Sequence, residues 1–253
     1  MSAYRGFDYR IEDGVGTVTF ARPEKLNSLT FEVYAELERL ALECQTDEAV
    51  RVLVLTGAGK GFCSGGDVHE IIGDLFKRDV KGMLQFTRMT GAVVRNLRLL
   101  DKPVVAAING IAAGAGAVLA LASDFRVMAD TARFAFLFTR VGLTGADMGA
   151  AFLLPKVVGL GRATELLMLG DTIDAATAER YGLATRVVPL DRLADEARAL
   201  AMTKRMLNNE WGMDLASAIE AEAQAQALLL MSEDHKEFYR AFTEKRPPRF
   251  TGR

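Results

Sequence analysis

Val104-Val105-Ala106-Ala107-Ile108-Asn109-Gly110-Ile111-Ala112-Ala113-Gly114-Ala115-Gly116-Ala117-Val118-Leu119-Ala120-Leu121-Ala122 is the stretch whose reading decides the fold. An apolar, largely β-branched run (Val104 to Ile108) is followed at once by glycines and small residues, then by an Ala/Leu-rich run from Val118 to Ala122. The pattern predicts a buried strand, a glycine turn and a buried helix. Glycines at such a junction let backbone N–H groups turn outward at the positive end of a helix. That arrangement can receive negative charge developing on an oxygen. Close packing alone also selects small residues at a tight turn, so this stretch by itself leaves both readings open.

A second stretch, about fifty residues upstream, repeats the design. Val52-Leu53-Val54-Leu55-Thr56 reads as another buried strand and leads into Gly57-Ala58-Gly59-Lys60-Gly61-Phe62-Cys63-Ser64-Gly65-Gly66-Asp67. Two strand-to-glycine-to-helix turns could aim two backbone donors at one oxygen. Three motifs also occur in a fixed order: Lys60-Gly61-Phe62-Cys63-Ser64-Gly65-Gly66-Asp67, Lys102-Pro103-Val104-Val105-Ala106-Ala107-Ile108-Asn109-Gly110, and Ala122-Ser123-Asp124-Phe125-Arg126. With them the chain resembles the enoyl-CoA hydratase/isomerase (crotonase) superfamily from about Val15 to its C-terminus. The resemblance implies an α/β fold, a crotonase-like spiral of ββα repeats with a C-terminal helical trimerisation region. It also implies an acyl-CoA substrate and a homotrimer or homohexamer.

Composition fits an ordinary globular protein: 253 residues, half hydrophobic and a quarter charged. A net charge of −2 gives no footprint for nucleic acid or for an anionic membrane surface. The two cysteines, Cys44 and Cys63, and the two histidines, His69 and His235, show no metal-ligand spacing, so no metal is expected. No charged-then-apolar leader opens the chain, and the longest apolar run, Ile111 to Ala122, is too short and too glycine-broken to span a bilayer. A cytoplasmic protein is expected. The cofactor expectation is none, beyond coenzyme A carried as part of the substrate.

In chain order, Tyr4 to Phe20 alternates around Gly14 as a hairpin would. Thr30 is placed to cap a helix from Phe31 to Cys44 with Leu37, Leu40 and Ala41 on one face. Val68 to Leu75 and the charged residues after it read as a cover over the acyl pocket. A helix from Met83 to Leu100 should carry Leu84, Phe86, Val93, Val94 and Leu97 inward. Strands are expected at Val104–Ile108, Phe125–Met128 and Phe134–Phe136, and their recurrence suggests stacked turns of a spiral. Asp171 to Gly182 reads as a capped short helix, Thr185 to Val188 as a strand, and Asp191 to Thr243 as helical. The domain expectation is a core over 1–190 and a helical region over 191–253. Against the family pattern, Ala199-Leu200-Ala201 runs straight into Met202-Thr203-Lys204, shortening the turn expected between two helices there.

By position in the motifs, the oxyanion donors would be the amides of Gly66 and Ala115. A hydratase of this family carries two glutamates, and the matching positions here hold Val118 and Phe138. Two apolar residues cannot position or deprotonate a water. One acid remains nearby, Asp147, in Gly142-Leu143-Thr144-Gly145-Ala146-Asp147-Met148-Gly149. This pattern resembles the isomerase branch of the family, that of the 1,2-epoxyphenylacetyl-CoA isomerases and enoyl-CoA isomerases. One carboxylate suffices to move a proton between two carbons, and apolar neighbours such as Val118, Phe136 and Phe138 would raise its pKa. Capping of the helix from Met148 is the competing role for Asp147. His69 and Glu70 read as surface helix positions that could reach the pocket mouth.

The resemblance also assigns the nucleotide end of coenzyme A to Lys25 and Leu26, and adenine and phosphate to Phe242 and Lys245. It groups Cys63, Gly65 and Asp67 with the binding residues. On their own chemistry Cys63 reads as a small packed residue and Asp67 as a helix cap. Three functions follow as expectations. The first is an acyl-CoA isomerase. The second is a hydratase or ring-opening hydrolase using Asp147 and water. The third is an acyl-CoA binding protein without catalysis.

Overall fold

The computed structural model describes residues 4–193 and 233–249, with a few single positions between them. The chain divides into two compact units, Met1–Lys204 and Arg205–Arg253.

In the first unit, β1 (Phe7–Glu12) and β2 (Val15–Phe20) form the antiparallel hairpin expected from the alternation around Gly14. β2 then pairs in parallel with β3 (Val52–Gly57), and the sheet continues through β5 (Val104–Ile108), β7 (Phe125–Ala129) and β10 (Arg186–Val188). A second sheet holds β4 (Gly61–Cys63), β6 (Ile111–Ala113), β8 (Arg133–Ala135) and β9 (Thr172–Asp174). The consecutive pairs β3/β4, β5/β6 and β7/β8 each give one strand to each sheet before the chain leaves through helical structure. That is the expected spiral of stacked ββα turns rather than a doubly wound sheet.

Alternate residues explain how the central strands serve two faces. Leu53, Leu55, Val104, Ala106 and Ile108 join the main core, and Val52, Val54, Val105 and Ala107 pack with Val127 and Leu193 on the opposite side. Burial on both faces is why these strands read as unbroken apolar runs. The helix α1 (Phe31–Thr46) is capped as expected, the Thr30 hydroxyl accepting from the Val33 amide at 3.3 Å. A π-helical turn (Val68–Ile72) runs into the short α2 (Gly73–Leu75). The following helix α3 (Val80–Leu99) buries Val93, Val94 and Leu97 but leaves Leu84 exposed, which corrects the inward placement of that residue. Its buried stripe begins at Thr90, so the N-terminal turns present Leu84 to the surface.

All residues of α4 (Ala115–Ala122) are buried, as a helix apolar on every side must be. Helix α5 (Ala150–Leu169) is kinked at Gly159, whose φ of 77° and ψ of 158° interrupt the helix. The expected capped helix at Asp171 begins later: Thr172–Asp174 forms β9, paired antiparallel with β8, and Asp174 caps α6 (Ala175–Arg180) by accepting from the Thr177 amide at 2.8 Å. Three polar-flanked residues carry no strand periodicity, and the open edge of β8 decides their conformation.

In the second unit, α7 (Glu233–Thr243) is the described part of the helical region expected from Asp191 to Thr243. Glu237 is gripped by the Arg246 guanidinium at 2.6 and 3.1 Å and by the Arg249 amide at 3.0 Å, which together pull its carboxyl down to about 2. The junction Ala201–Met202 and most of Ala216 to Met231 lie outside the described residues.

Candidate functional site

The two glycine turns meet. Gly65 has φ of 102°, and a β-carbon built there would stand 3.1 Å from the Ala113 carbonyl oxygen and 3.4 Å from the Ala115 nitrogen. Its α-carbon lies 3.8 Å from where a β-carbon of Gly114 would be. Glycine is required on both sides of this approach, because Gly114 also adopts φ 51° and ψ −123°, a region closed to other residues. On the far side of α4, a β-carbon on Gly116 would meet the Cys63 carbonyl oxygen at 2.1 Å, so the helix start is pressed onto β4.

Backbone bonding leaves the two amides open. Leu29 brackets the first turn: its amide donates to the Gly65 carbonyl and its carbonyl accepts from the Asp67 amide, both at 2.8 Å, so Gly66 between them is held but not used. Ala115 is the first residue of α4, where helical amides have no intrahelical acceptor. Among the described residues neither the Gly66 nor the Ala115 N–H has a protein acceptor. With the α4 dipole behind it, the Ala115 amide stands where partial negative charge is favoured.

A polar latch that sequence reading missed fixes the first turn. The Asp67 carboxylate is 6% exposed and accepts from the His69 and Glu70 amides, the Ser28 hydroxyl and the Arg22 guanidinium. The Glu70 amide foremost, with the Ser28 hydroxyl, the His69 amide and the Arg22 charge, holds its carboxyl below the ordinary value. Arg22 also bonds the Ser28 carbonyl at 3.0 Å and Glu70 at 2.7 Å, which leaves His69 exposed and Glu70 ion-paired. Asn27, buried and left-handed at φ 58°, donates to the Ala58 and Gly61 carbonyls and accepts from the Arg22 amide. The only sequence signal for this latch was polar residues in a Pro-containing loop, which carries no periodicity.

The same loop seats two of the expected binding residues against the first glycine turn. The Lys25 carbonyl accepts from the Ser64 hydroxyl at 3.2 Å and the Leu26 carbonyl from the Ser64 amide at 3.0 Å, with both side chains exposed. Asp67 serves as the cap of the π-helical turn, and all its structural bonds are internal. Cys63 is fully buried, and burial pushes its thiol up to about 12, so its side chain is packing. Phe242 and Lys245 are exposed in the second unit, Lys245 with φ of 55°.

Asp147 sits in a strained turn. Its own Oδ1 accepts from the Met148 amide at 2.9 Å, its carbonyl accepts from Ala150, and the next two residues, Met148 (φ 49°) and Gly149 (φ 87°), are both left-handed. A left-handed methionine costs about 1–2 kcal/mol. Helix α5 is capped by Gly149 without any side chain, so the Asp147 carboxylate does not cap that helix. Burial raises its pKa above the ordinary carboxylate value, and the Met148 amide opposes this only in part. Tyr34, fully buried on α1, lies within electrostatic reach of both Cys63 and Asp147. Val118, Phe136 and Phe138 are all buried.

Among the described residues no cluster of potential metal ligands occurs and no helix is long and apolar enough to cross a membrane. The sequence profile of the enoyl-CoA hydratase/isomerase family matches residues 10–253. A 1,2-epoxyphenylacetyl-CoA isomerase of Escherichia coli K12 is 37% identical over 96% of this chain and 97% of its own. A trans-2-decenoyl-[acyl-carrier-protein] isomerase of Streptococcus mutans is 33% identical over 97% of each. A solved structure of an assigned enoyl-CoA hydratase from Streptomyces coelicolor A3(2) superposes with a TM-score of 0.93 at 55% identity, covering 100% of this chain and 96% of that one. The chain belongs to the enoyl-CoA hydratase/isomerase family and has its crotonase fold.

Proposed function

We propose that the chain is an acyl-CoA isomerase that moves a double bond, or rearranges a ring, by proton transfer at Asp147. The thioester carbonyl lies between the Gly66 and Ala115 amides, which stabilise the enolate that forms when a proton leaves the neighbouring carbon. A donor of this kind lowers the barrier by about 3 kcal/mol. Coenzyme A enters as part of the substrate, its nucleotide end against the Lys25–Leu26 loop. The observation that carries the reading is Asp147 itself: a half-buried carboxylate whose pKa burial raises, in a chain where the positions matched to the two hydratase glutamates hold Val118 and Phe138. The isomerase relatives from Escherichia coli and Streptococcus mutans support it.

Hydration with Asp147 as the sole base is a second reading, favoured by the 55% identity to the assigned hydratase structure. The first test is kinetic. Asp147→Asn keeps the hydrogen-bond acceptor for Met148, so it should bind coenzyme A thioesters as before and lose about 10²-fold or more in turnover. Turnover at the parent rate would remove Asp147 from the mechanism.

A further inference from the structure

We infer that Arg140 and Gly145 are positioning residues that hold the Asp147 turn against the C-terminal end of α5; the inference rests on Asp147 being the base. The Met148 and Ala150 amides hold the Asp147 turn to itself but do not fix it against the rest of the fold. It lies at the end of a glycine-rich loop, follows a short 3-10 helix (Leu137–Val141), and precedes a helix that it does not cap.

The anchor is the far end of the same helix. Because α5 breaks at Gly159, its last turn need not continue the line of its first. That last turn packs on the loop leading to Asp147. The Arg140 Nε donates to the Leu169 and Gly170 carbonyls, each at 3.1 Å, and the guanidinium also pairs with Asp171. These are terminal carbonyls at the negative end of a helix, where a cation is favoured. Gly145, two residues before Asp147, approaches so closely that a β-carbon would stand 2.4 Å from the Leu167 carbonyl oxygen and 3.1 Å from its carbonyl carbon. The obstacle is backbone and cannot swing aside, so an added methyl must move the loop.

The two contacts act on one segment. Arg140 fixes its start, Gly145 sets its depth against α5, and the left-handed pair Met148–Gly149 closes it. Between the last two fixed points only Ala146 and Asp147 remain. A displacement of about 1 Å at a reacting group can cost about 10²-fold in rate, so this clamp is where a change remote from the Gly66 and Ala115 amides reaches the base.

The test is a set of substitutions read against Asp147→Asn. Gly145→Ala and Arg140→Ala should each lower kcat by about tenfold or more, with KM for the coenzyme A thioester changed by less than about twofold. Arg140→Lys, which keeps the charge but not the fork, should recover part of the loss. The acid limb of kcat should move to lower pH in both alanine variants. Burial now raises the Asp147 pKa, and a loosened turn lets water in and returns it toward the ordinary carboxylate range. Combined with Asp147→Asn, neither substitution should reduce the residual rate further. An undiminished kcat in Arg140→Ala, or an equal fold loss in the Asp147→Asn background, would overturn the inference even if Gly145→Ala fails to fold. Parental turnover by Asp147→Asn alone would instead refute the base assignment on which it rests.

Discussion

Asp147 carries two opposing demands. Its raised pKa means that the folded chain holds the proton more tightly than the unfolded chain does. Stability is therefore highest below the unfolded value near 3.9, falls as pH rises toward the folded pKa, and stays reduced above it. Asp147→Asn should accordingly melt at a higher temperature than the parent at pH 7 while losing activity, and the gain should vanish near pH 3. A thermal scan at the two pH values checks this, and a lower Tm for the variant at pH 7 would contradict it. The residue itself was legible because it was the one acid in an otherwise apolar and glycine-rich stretch. The upward direction of its pKa was expected too. The latch of Arg22, Asn27, Ser28 and Asp67 was not, since hydrogen bonds between residues forty or so positions apart leave no local pattern.

The elements read well where periodicity or turn chemistry was strong, and the reasons are physical. β3 and β5 announce themselves as continuous apolar runs because both of their faces are buried. Thr30 announces α1 because a hydroxyl at that point satisfies an orphan amide. β9 and the start of α3 were misread because pairing to an open edge and the onset of packing are settled by partners, not by the segment. The same logic separates two glycines. Gly116 on α4 faces the Cys63 carbonyl at 2.1 Å, whereas Gly91 on α3 has nothing within 4 Å of a β-carbon. Gly116→Ala should destabilise the fold by about 1–3 kcal/mol or more through overpacking and spoil the Ala115 donor. Gly91→Ala should stabilise it by about 0.5–1 kcal/mol by removing backbone freedom from the unfolded chain. Denaturant titration of both variants gives the answer; equal effects would mean that the packing at α4 is looser than described.

For the whole molecule, the spiral was legible only through the family resemblance that several motifs carry together. Each ββα turn alone looks like a piece of parallel α/β sheet, and it is the alternation of strands between two sheets that distinguishes the architecture. The first unit also displays large apolar side chains around α5 and its approach, among them Val141, Leu143, Phe152, Leu160 and Met168. We propose that association into a homotrimer, or a hexamer of such trimers, covers these side chains. Light scattering coupled to size exclusion at micromolar concentration should give the mass of three or six chains, and a monodisperse monomer would refute the proposal.

The most direct test of the account follows isotopes through one turnover. As proposed, the Gly66 and Ala115 amides stabilise an enolate, and Asp147 moves a proton without adding water. A panel of β,γ-unsaturated, branched and aromatic acyl-CoA thioesters should be incubated with the protein in water enriched in oxygen-18, and the products weighed by mass spectrometry. The account predicts a product isomeric with its substrate, with no oxygen-18 incorporated and no hydroxyacyl thioester formed. Stoichiometric incorporation of one oxygen-18 per turnover would contradict it and establish hydration in its place.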